Sequence, residues 1–434
     1  MSKSTPSGLV AYINARLLDP ASGLDCAGAL LTNGEIIADV GPGLFRGGVP
    51  AGIDVVDCAG HCLAPGLVDM RVQVREPGEE HKETLKTAGE AAVAGGVTSM
   101  VCLPNTDPIM DEVATVEFVA RRARKNGLAK VYPYAATTKR LEGRELSEMG
   151  FLQEAGALAF TDGIKAVADA QTMRRALSYA ATFGALIVQH PEDPSLAGSG
   201  VMNAGEQATR MGLSGIPPEA EIVMLERDMR LVAMTGGRYH AAHVSTAEGV
   251  EIIRRAKARG LPVTCDTAPP YFALNELEVT NYRTFAKLSP PLRGEADRLA
   301  VIAALRDGTI DAIASDHAPQ DEDAKRQTFA AAEFGGIGLE TLLAATLSLV
   351  HGGALDLLPA LALLTCRPAE VLRLPAGRLK VGAAADLLLF DPDRGWVVEP
   401  ARFKSKSKNS PFDGRPLQGV VLRTVVVGRT VYRA

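Results

Sequence analysis

Four short apolar runs in this 434-residue chain end on groups able to hold a metal ion or move a proton. FTDG presents Asp162, QHPED presents His190, HVST presents His243, and SDHAP presents Asp316 beside His317. Two histidines and two aspartates form the nitrogen and oxygen donor set that Zn²⁺ favours. Taken singly, each histidine reads as a hydrogen-bonded structural residue. A further run, LPNTDP, presents Asn105. The stretch LVDMRVQVREPG is different in kind. Strand side chains alternate faces, so Met70, Val72 and Val74 share one side and Asp69, Arg71, Gln73 and Arg75 the other. Burying that second side costs dearly unless something pairs with its charges.

These residues need elements to bring them together, and the periodicity supplies them. Residues 67–74, 98–103, 130–136, 156–160, 185–190, 238–243, 262–266 and 311–315 read as strands. Amphipathic helical stretches separate them, among them DEVATVEFVARRARKNG, AEIVMLERDMRLVAMTG, AEGVEIIRRAKARG and ADRLAVIAALRDG. Eight βα repeats predict a (β/α)8 barrel over residues 65–375, with reactive groups at the carboxyl ends of the strands. The rival is an open doubly wound sheet, whose GxGxxG fingerprint is missing. Residues 1–64 and 376–434 are β-rich and most simply pair into one small flanking β-sandwich. The basic stretch KSKSKNS at 404–410 reads as a solvated loop.

Composition narrows the function classes. Hydrophobic residues at 47% and charged residues at 22% describe an ordinary globular chain. A net charge of -5 makes no electrostatic case for nucleic acid or an anionic membrane. No run reaches the length of a membrane span or a signal-peptide core. The six cysteines, at 26, 58, 62, 102, 265 and 366, form no CxxC pair, and read as buried thiols in a reducing cytoplasm.

A family resemblance follows from several segments in order. PGLVDMRVQVREPG, AAVAGGVTSMVCLPNTDP, QHPED, NAGEQATRMGLSGIPPEAE, HVSTAEG, SPPLR, DGTIDAIASDHAP and KSKNSPFDG resemble the bacterial dihydroorotases of the amidohydrolase superfamily. The resemblance implies a (β/α)8 barrel with a β-sandwich, and reversible closure of N-carbamoyl-L-aspartate to dihydroorotate. It also implies two zinc ions that activate a hydroxide, with Asp316 as the proton carrier. On the same footing, Arg75 and Asn105 match binders of the substrate carboxylate, and Phe334 and Gly335 match a backbone contact to the pyrimidine ring.

The chain departs from that family where the metals belong. The family's Asp-x-His-x-His-x-Arg strand carries Arg71 and Gln73 in place of both histidines. The two-aspartate DDG turn keeps one aspartate, Asp162. Ser289 replaces an asparagine, Gln320 replaces a histidine, and Pro270 or Tyr271 replaces another. A guanidinium has no lone pair to give. The expected metal set is therefore one zinc ion at most, held by Asp162, His190 and His243, or none. Two functions are carried forward. One is a pseudo-dihydroorotase that supports assembly of aspartate carbamoyltransferase, as a cytoplasmic homodimer or larger oligomer. The other is an active cyclic amidohydrolase with a mononuclear zinc site. Without a cation, carboxylates at the depth of Asp162 and Asp316 would repel. The expectation is that Arg71 stands in for the metal, bonding Asp316 or Asp162 with Gln73 beside it, instead of snorkelling to solvent.

Overall fold

The computed structural model describes residues 8–434. Seven strands of the central layer are continuous: Leu67–Val72, Val97–Cys102, Lys130–Pro133, Leu186–Gln189, Arg238–Ala241, Val263–Thr267 and Ala312–Ile313. All pair in parallel. The fourth position, expected at 156–160, contributes single parallel bridges from Phe160 to Ala135 and to Ile187. A parallel bridge from Val72 to His317 closes the ring between the first and last positions. The result is a (β/α)8 barrel.

The helices lie where the apolar periodicity puts them, and local signals end them. Val113–Asn126 stops at Gly127, whose φ of 63° is the left-handed conformation that glycine adopts without strain. Ala247–Ala258 begins with the Thr246 hydroxyl accepting from the Gly249 amide, and carries Arg255 and Lys257 in its last turn, where cations oppose the helix dipole. Ala170–Ala181 starts on the Asp169 carboxylate in the same way. One continuous core joins barrel residues such as Leu67, Val97 and Ile313 to helix residues such as Ala88, Val116 and Leu342.

The flanking sheet draws on both ends of the chain. Its strands run in the order Arg429–Arg433, Pro416–Val426, Leu387–Val397, Cys62–Pro65, Leu9–Asp19, Leu24–Asn33 and Ile36–Gly41, with Asp54–Asp57 paired to Leu9–Asp19. The antiparallel pairing of Leu387–Val397 with Cys62–Pro65 joins the two ends. All six cysteines are free thiols.

The stretch 404–410 is not a solvated loop. Ser405, Ser407, Asn409 and Ser410 are buried while Lys404 and Lys406 face outward. Ser405 Oγ donates to Glu83 Oε2 at 2.5 Å, and Ser407 Oγ to the Lys82 carbonyl at 2.7 Å. Asn409 Nδ2 donates to the carbonyls of Ala318 and Gly335 at 3.2 and 3.0 Å. The segment is a strap laced to the barrel mouth. Its alternating lysines conceal that in the sequence.

Candidate active site

The carboxyl ends of the strands converge on a cavity of about 620 Å³ lined by Arg71, Gln73, Arg75, Asn105, His190 and Asp316, with Phe334 and Gly335 on its wall. Asp162 and His243 are buried but do not line it. A larger cavity of about 970 Å³ lies against the sheet around His61, Trp396 and Arg423, and holds none of these residues.

Arg71, 2% exposed, turns inward. Its Nε donates to Asp316 Oδ1 at 2.8 Å and its Nη2 to the Gly163 carbonyl at 3.1 Å. Of the two expected partners it takes Asp316. Asp162 is held separately, its Oδ1 accepting from the Thr138 amide at 2.9 Å and its Oδ2 from the Thr138 hydroxyl at 2.5 Å. Gln73 Oε1 accepts from Asn105 Nδ2 at 3.1 Å. Arg75 is committed to the Pro319 carbonyl through Nε at 3.2 Å and to Glu79 Oε2 through Nη1 at 2.7 Å. The Phe334 carbonyl accepts from Gln320 Nε2 at 2.8 Å.

The histidines form a relay. His243 Nδ1 lies 3.2 Å from Asp316 Oδ2, and His243 Nε2 lies 2.8 Å from His190 Nδ1. A carboxylate only accepts, so the network assigns the His243 proton to Nδ1 and leaves Nε2 to accept from His190. Burial, then the Arg71 charge, pushes the His243 imidazole down to about 4, so it is neutral at pH 7. Burial by itself would raise Asp316, but the facing His243 and Arg71 outweigh it and hold that carboxyl well below the usual range. With His243 neutral, Arg71 is the cation that keeps Asp316 ionised. Asp69 and Asp162 form no ion pair among the described residues, and burial pushes each up to about 6.

This arrangement bears directly on zinc. Both oxygens of Asp162 and both of Asp316 are committed, and the His243 Nε2 lone pair points at His190. Among the described residues, no three His, Cys, Asp or Glu side chains are grouped to hold a metal ion. The Arg71 guanidinium is bonded to Asp316, one of those donors. As arranged, the residues do not fit the dinuclear centre that the family resemblance implies.

Three of these residues sit in unusual backbone conformations. Arg75, His243 and Asp316 have φ of 60°, 42° and 49°. Each costs roughly 1–3 kcal/mol for a non-glycine residue, and such strain gathers at functional sites.

Comparison with known proteins places the chain. It is 48% identical to a dihydroorotase of Anaplasma phagocytophilum over 98% of this chain and 95% of that protein. The chain belongs to the dihydroorotase family. A dihydroorotase of Pelobacter propionicus is 46% identical over 97% of this chain and 98% of that protein. The dihydro-orotase-like family model matches residues 60–249, and an amidohydrolase family model matches 343–432. Among solved structures, the L-hydantoinase (dihydropyrimidinase) of Arthrobacter aurescens superposes with a TM-score of 0.87 at 25% identity, covering 98% of this chain and 96% of its own.

Several site residues carry no mark in the sequence reading. Asp266 Oδ2 faces His240 Nε2 at 3.1 Å, and its other oxygen accepts from the His243 amide. Asp266 lies at the end of its strand in CDTAPP, so strand-end position was an available signal. Glu192 lines the cavity 3.7 Å from His190, directly within QHPED. Glu83 is fully buried against His317 and Ser405, which lie more than two hundred residues away in the chain, and it also accepts from the Thr87 hydroxyl one helical turn on.

Proposed function

We propose that this dihydroorotase-family protein serves pyrimidine biosynthesis without zinc-dependent turnover of its own, as a partner that supports aspartate carbamoyltransferase assembly. One observation carries the reading: the Arg71–Asp316 pair at 2.8 Å, set where the resemblance calls for metal ligands. A hydroxide generated on a metal is the nucleophile of that chemistry, and a guanidinium cannot generate one. The proton carrier of the resemblance, Asp316, is at the same time locked to Arg71 and His243. The partner and the oligomeric, cytoplasmic state follow by analogy with degenerate members of the family, which is a weaker warrant than geometry.

The test is metal analysis of the purified protein together with a dihydroorotate hydrolysis assay. The expected result is substoichiometric zinc and turnover at least about 10²–10³ below that of an intact family member, the scale attached to losing one electrostatic group. Stoichiometric zinc with turnover abolished by Asp316→Asn would overturn the reading. Co-expression with the carbamoyltransferase of the same organism is expected to give one joint peak in gel filtration. Two independent peaks at micromolar concentration would remove the partner role.

A further inference from the structure

The cavity of about 970 Å³ between the flanking sheet and the barrel helix Leu342–His351 shares no residue with the barrel mouth. Its volume is at the upper end of the roughly 300–1,000 Å³ found for small-molecule sites. Part of its wall is aromatic. The half-buried rings of Trp396 and Phe403 lie 6.2 Å apart, tilted by 56°, and Tyr432 lines the same space. The Trp396 indole N–H donates to the Gly419 carbonyl at 3.0 Å, which fixes the ring against the sheet. Buried Leu343 and Ala344 add an apolar surface from the helix.

Four arginines converge on this wall: Arg394, Arg402, Arg423 and Arg433. The side chains of Arg394 and Arg433 make no hydrogen bond or ion pair among the described residues. Arg423 gives Nη1 to the Thr430 hydroxyl at 3.2 Å, so no carboxylate answers its charge. Arg402 is 3.8 Å from Glu399, a loose contact. The other carboxylate side chains of the wall are occupied. Asp57 Oδ1 accepts from Asn14 Nδ2 and from the Ala59 amide, and Glu340 Oε1 from the Ser405 amide. Single exposed arginines are ordinary. Several without a counter-charge, beside an aromatic wall in one cavity, call for a ligand that answers both features.

The two features narrow its chemistry together. Inorganic phosphate alone would leave the rings unused, and an uncharged aromatic would leave the arginines unanswered. A guanidinium fork matches phosphate oxygens, and a phosphate monoester carries about −1.5 to −2 charges at pH 7. Flat heterocyclic bases stack on aromatic side chains whatever their sequence of ring atoms. We propose that this cavity binds a nucleoside monophosphate, the base against Trp396 and Phe403 and the phosphate on Arg394 and Arg433. The site is independent of the barrel mouth and of whether that mouth holds zinc.

The chain contains one tryptophan, so the cavity carries its own reporter. The experiment follows Trp396 fluorescence, excited at the red edge of its absorption, as adenosine monophosphate is added to the full chain at constant ionic strength. Equilibrium dialysis of the same samples counts bound nucleotide. The expected result is a saturable change with one nucleotide per chain. Arg394→Gln with Arg433→Gln is expected to weaken binding about tenfold or more, as loss of two charge-assisted contacts implies. Both residues are exposed, so this variant keeps the fold. Phe403→Leu is expected to weaken binding several-fold through lost stacking. Adenosine and inorganic phosphate, each tested alone, are expected to bind at least about tenfold more weakly than the monophosphate. A wild-type signal that does not saturate, or an unchanged affinity in the double arginine variant, would overturn the site. Phosphate alone binding as tightly as the nucleotide would overturn the aromatic half of the assignment, and adenosine alone binding as tightly would overturn the anionic half. Nucleotide retained in dialysis without any change at Trp396 would place it elsewhere on the chain and remove the proposal.

Discussion

Arg71 and Asp316 are a buried ion pair, and buried pairs are asymmetric in their energetics. Removing one partner strands the other charge, which costs about 3–5 kcal/mol, while removing both is often close to neutral. Arg71→Gln is therefore expected to lose several kcal/mol in urea unfolding at pH 7, and Arg71→Gln with Asp316→Asn to recover most of it. The pH dependence has a fixed sign. Asp316 is held below its unfolded value in the folded protein. Its stabilisation is present above the unfolded carboxylate pKa of about 3.9 and is lost as pH falls further, so the deficit of Arg71→Gln shrinks below about pH 4. A deficit that stays constant from pH 7 to pH 3 would show that Arg71 matters for packing alone. This pairing was legible in sequence because strand alternation puts Arg71 on the polar side of its strand, and only a carboxylate from another strand could answer it. Which carboxylate was not legible. Thr138 captures both oxygens of Asp162, a contact set by a loop that periodicity does not describe.

At the scale of elements, periodicity shows the barrel strands and helices clearly because each repeats one pattern of burial. The strap over residues 404–410 escapes it, since its buried serines alternate with lysines and read as a wet loop. Glu340 is part of how that strap is fastened. Its Oε1 accepts from the Ser405 amide at 3.0 Å, and burial pushes its carboxyl up to about 7. A raised carboxyl favours the protonated folded form. Between about pH 4.5 and 7 the folded state binds the extra proton, so stability falls as pH rises through that window. Glu340→Gln keeps the acceptor oxygen and abolishes the charge. It is expected to stabilise the protein at pH 8 relative to wild type by about 1–3 kcal/mol, with little effect at pH 5. Chemical denaturation at the two pH values measures this. A variant destabilised equally at both would mean that the Glu340 charge is needed by the strap.

Over the whole molecule, the two ends of the chain form one sheet, so the barrel sits inside a loop of sequence closed by strand pairing. The sheet is also fixed to the barrel: Thr424 Oγ1 donates to the Val93 carbonyl at 2.6 Å, and the Asp386 carboxylate takes Lys130 Nζ at 2.5 Å and the Val427 amide at 2.9 Å. Gly428 is the tightest joint between the ends. It has a φ of 73°, and a Cβ there would lie 1.8 Å from the Gly34 carbonyl oxygen, a backbone atom of the turn between Leu24–Asn33 and Ile36–Gly41. Its amide donates to the Ala385 carbonyl at 2.9 Å, so the C-terminal turn is held from two sides. A methyl group at this position cannot be absorbed by rotating a side chain; one of two backbones has to move. Gly428→Ala is therefore expected to cost more than about 3 kcal/mol, well beyond the ordinary penalty of alanine at positive φ. If the sheet and barrel unfold as one unit, the lowered midpoint will appear identically by far-UV circular dichroism and by fluorescence of Trp396, which sits in the strand Leu387–Val397 of the sheet. An early fluorescence transition with the helical signal unchanged would separate the sheet from the barrel, and the closing strand pairs would then be a local clasp and not part of the cooperative core.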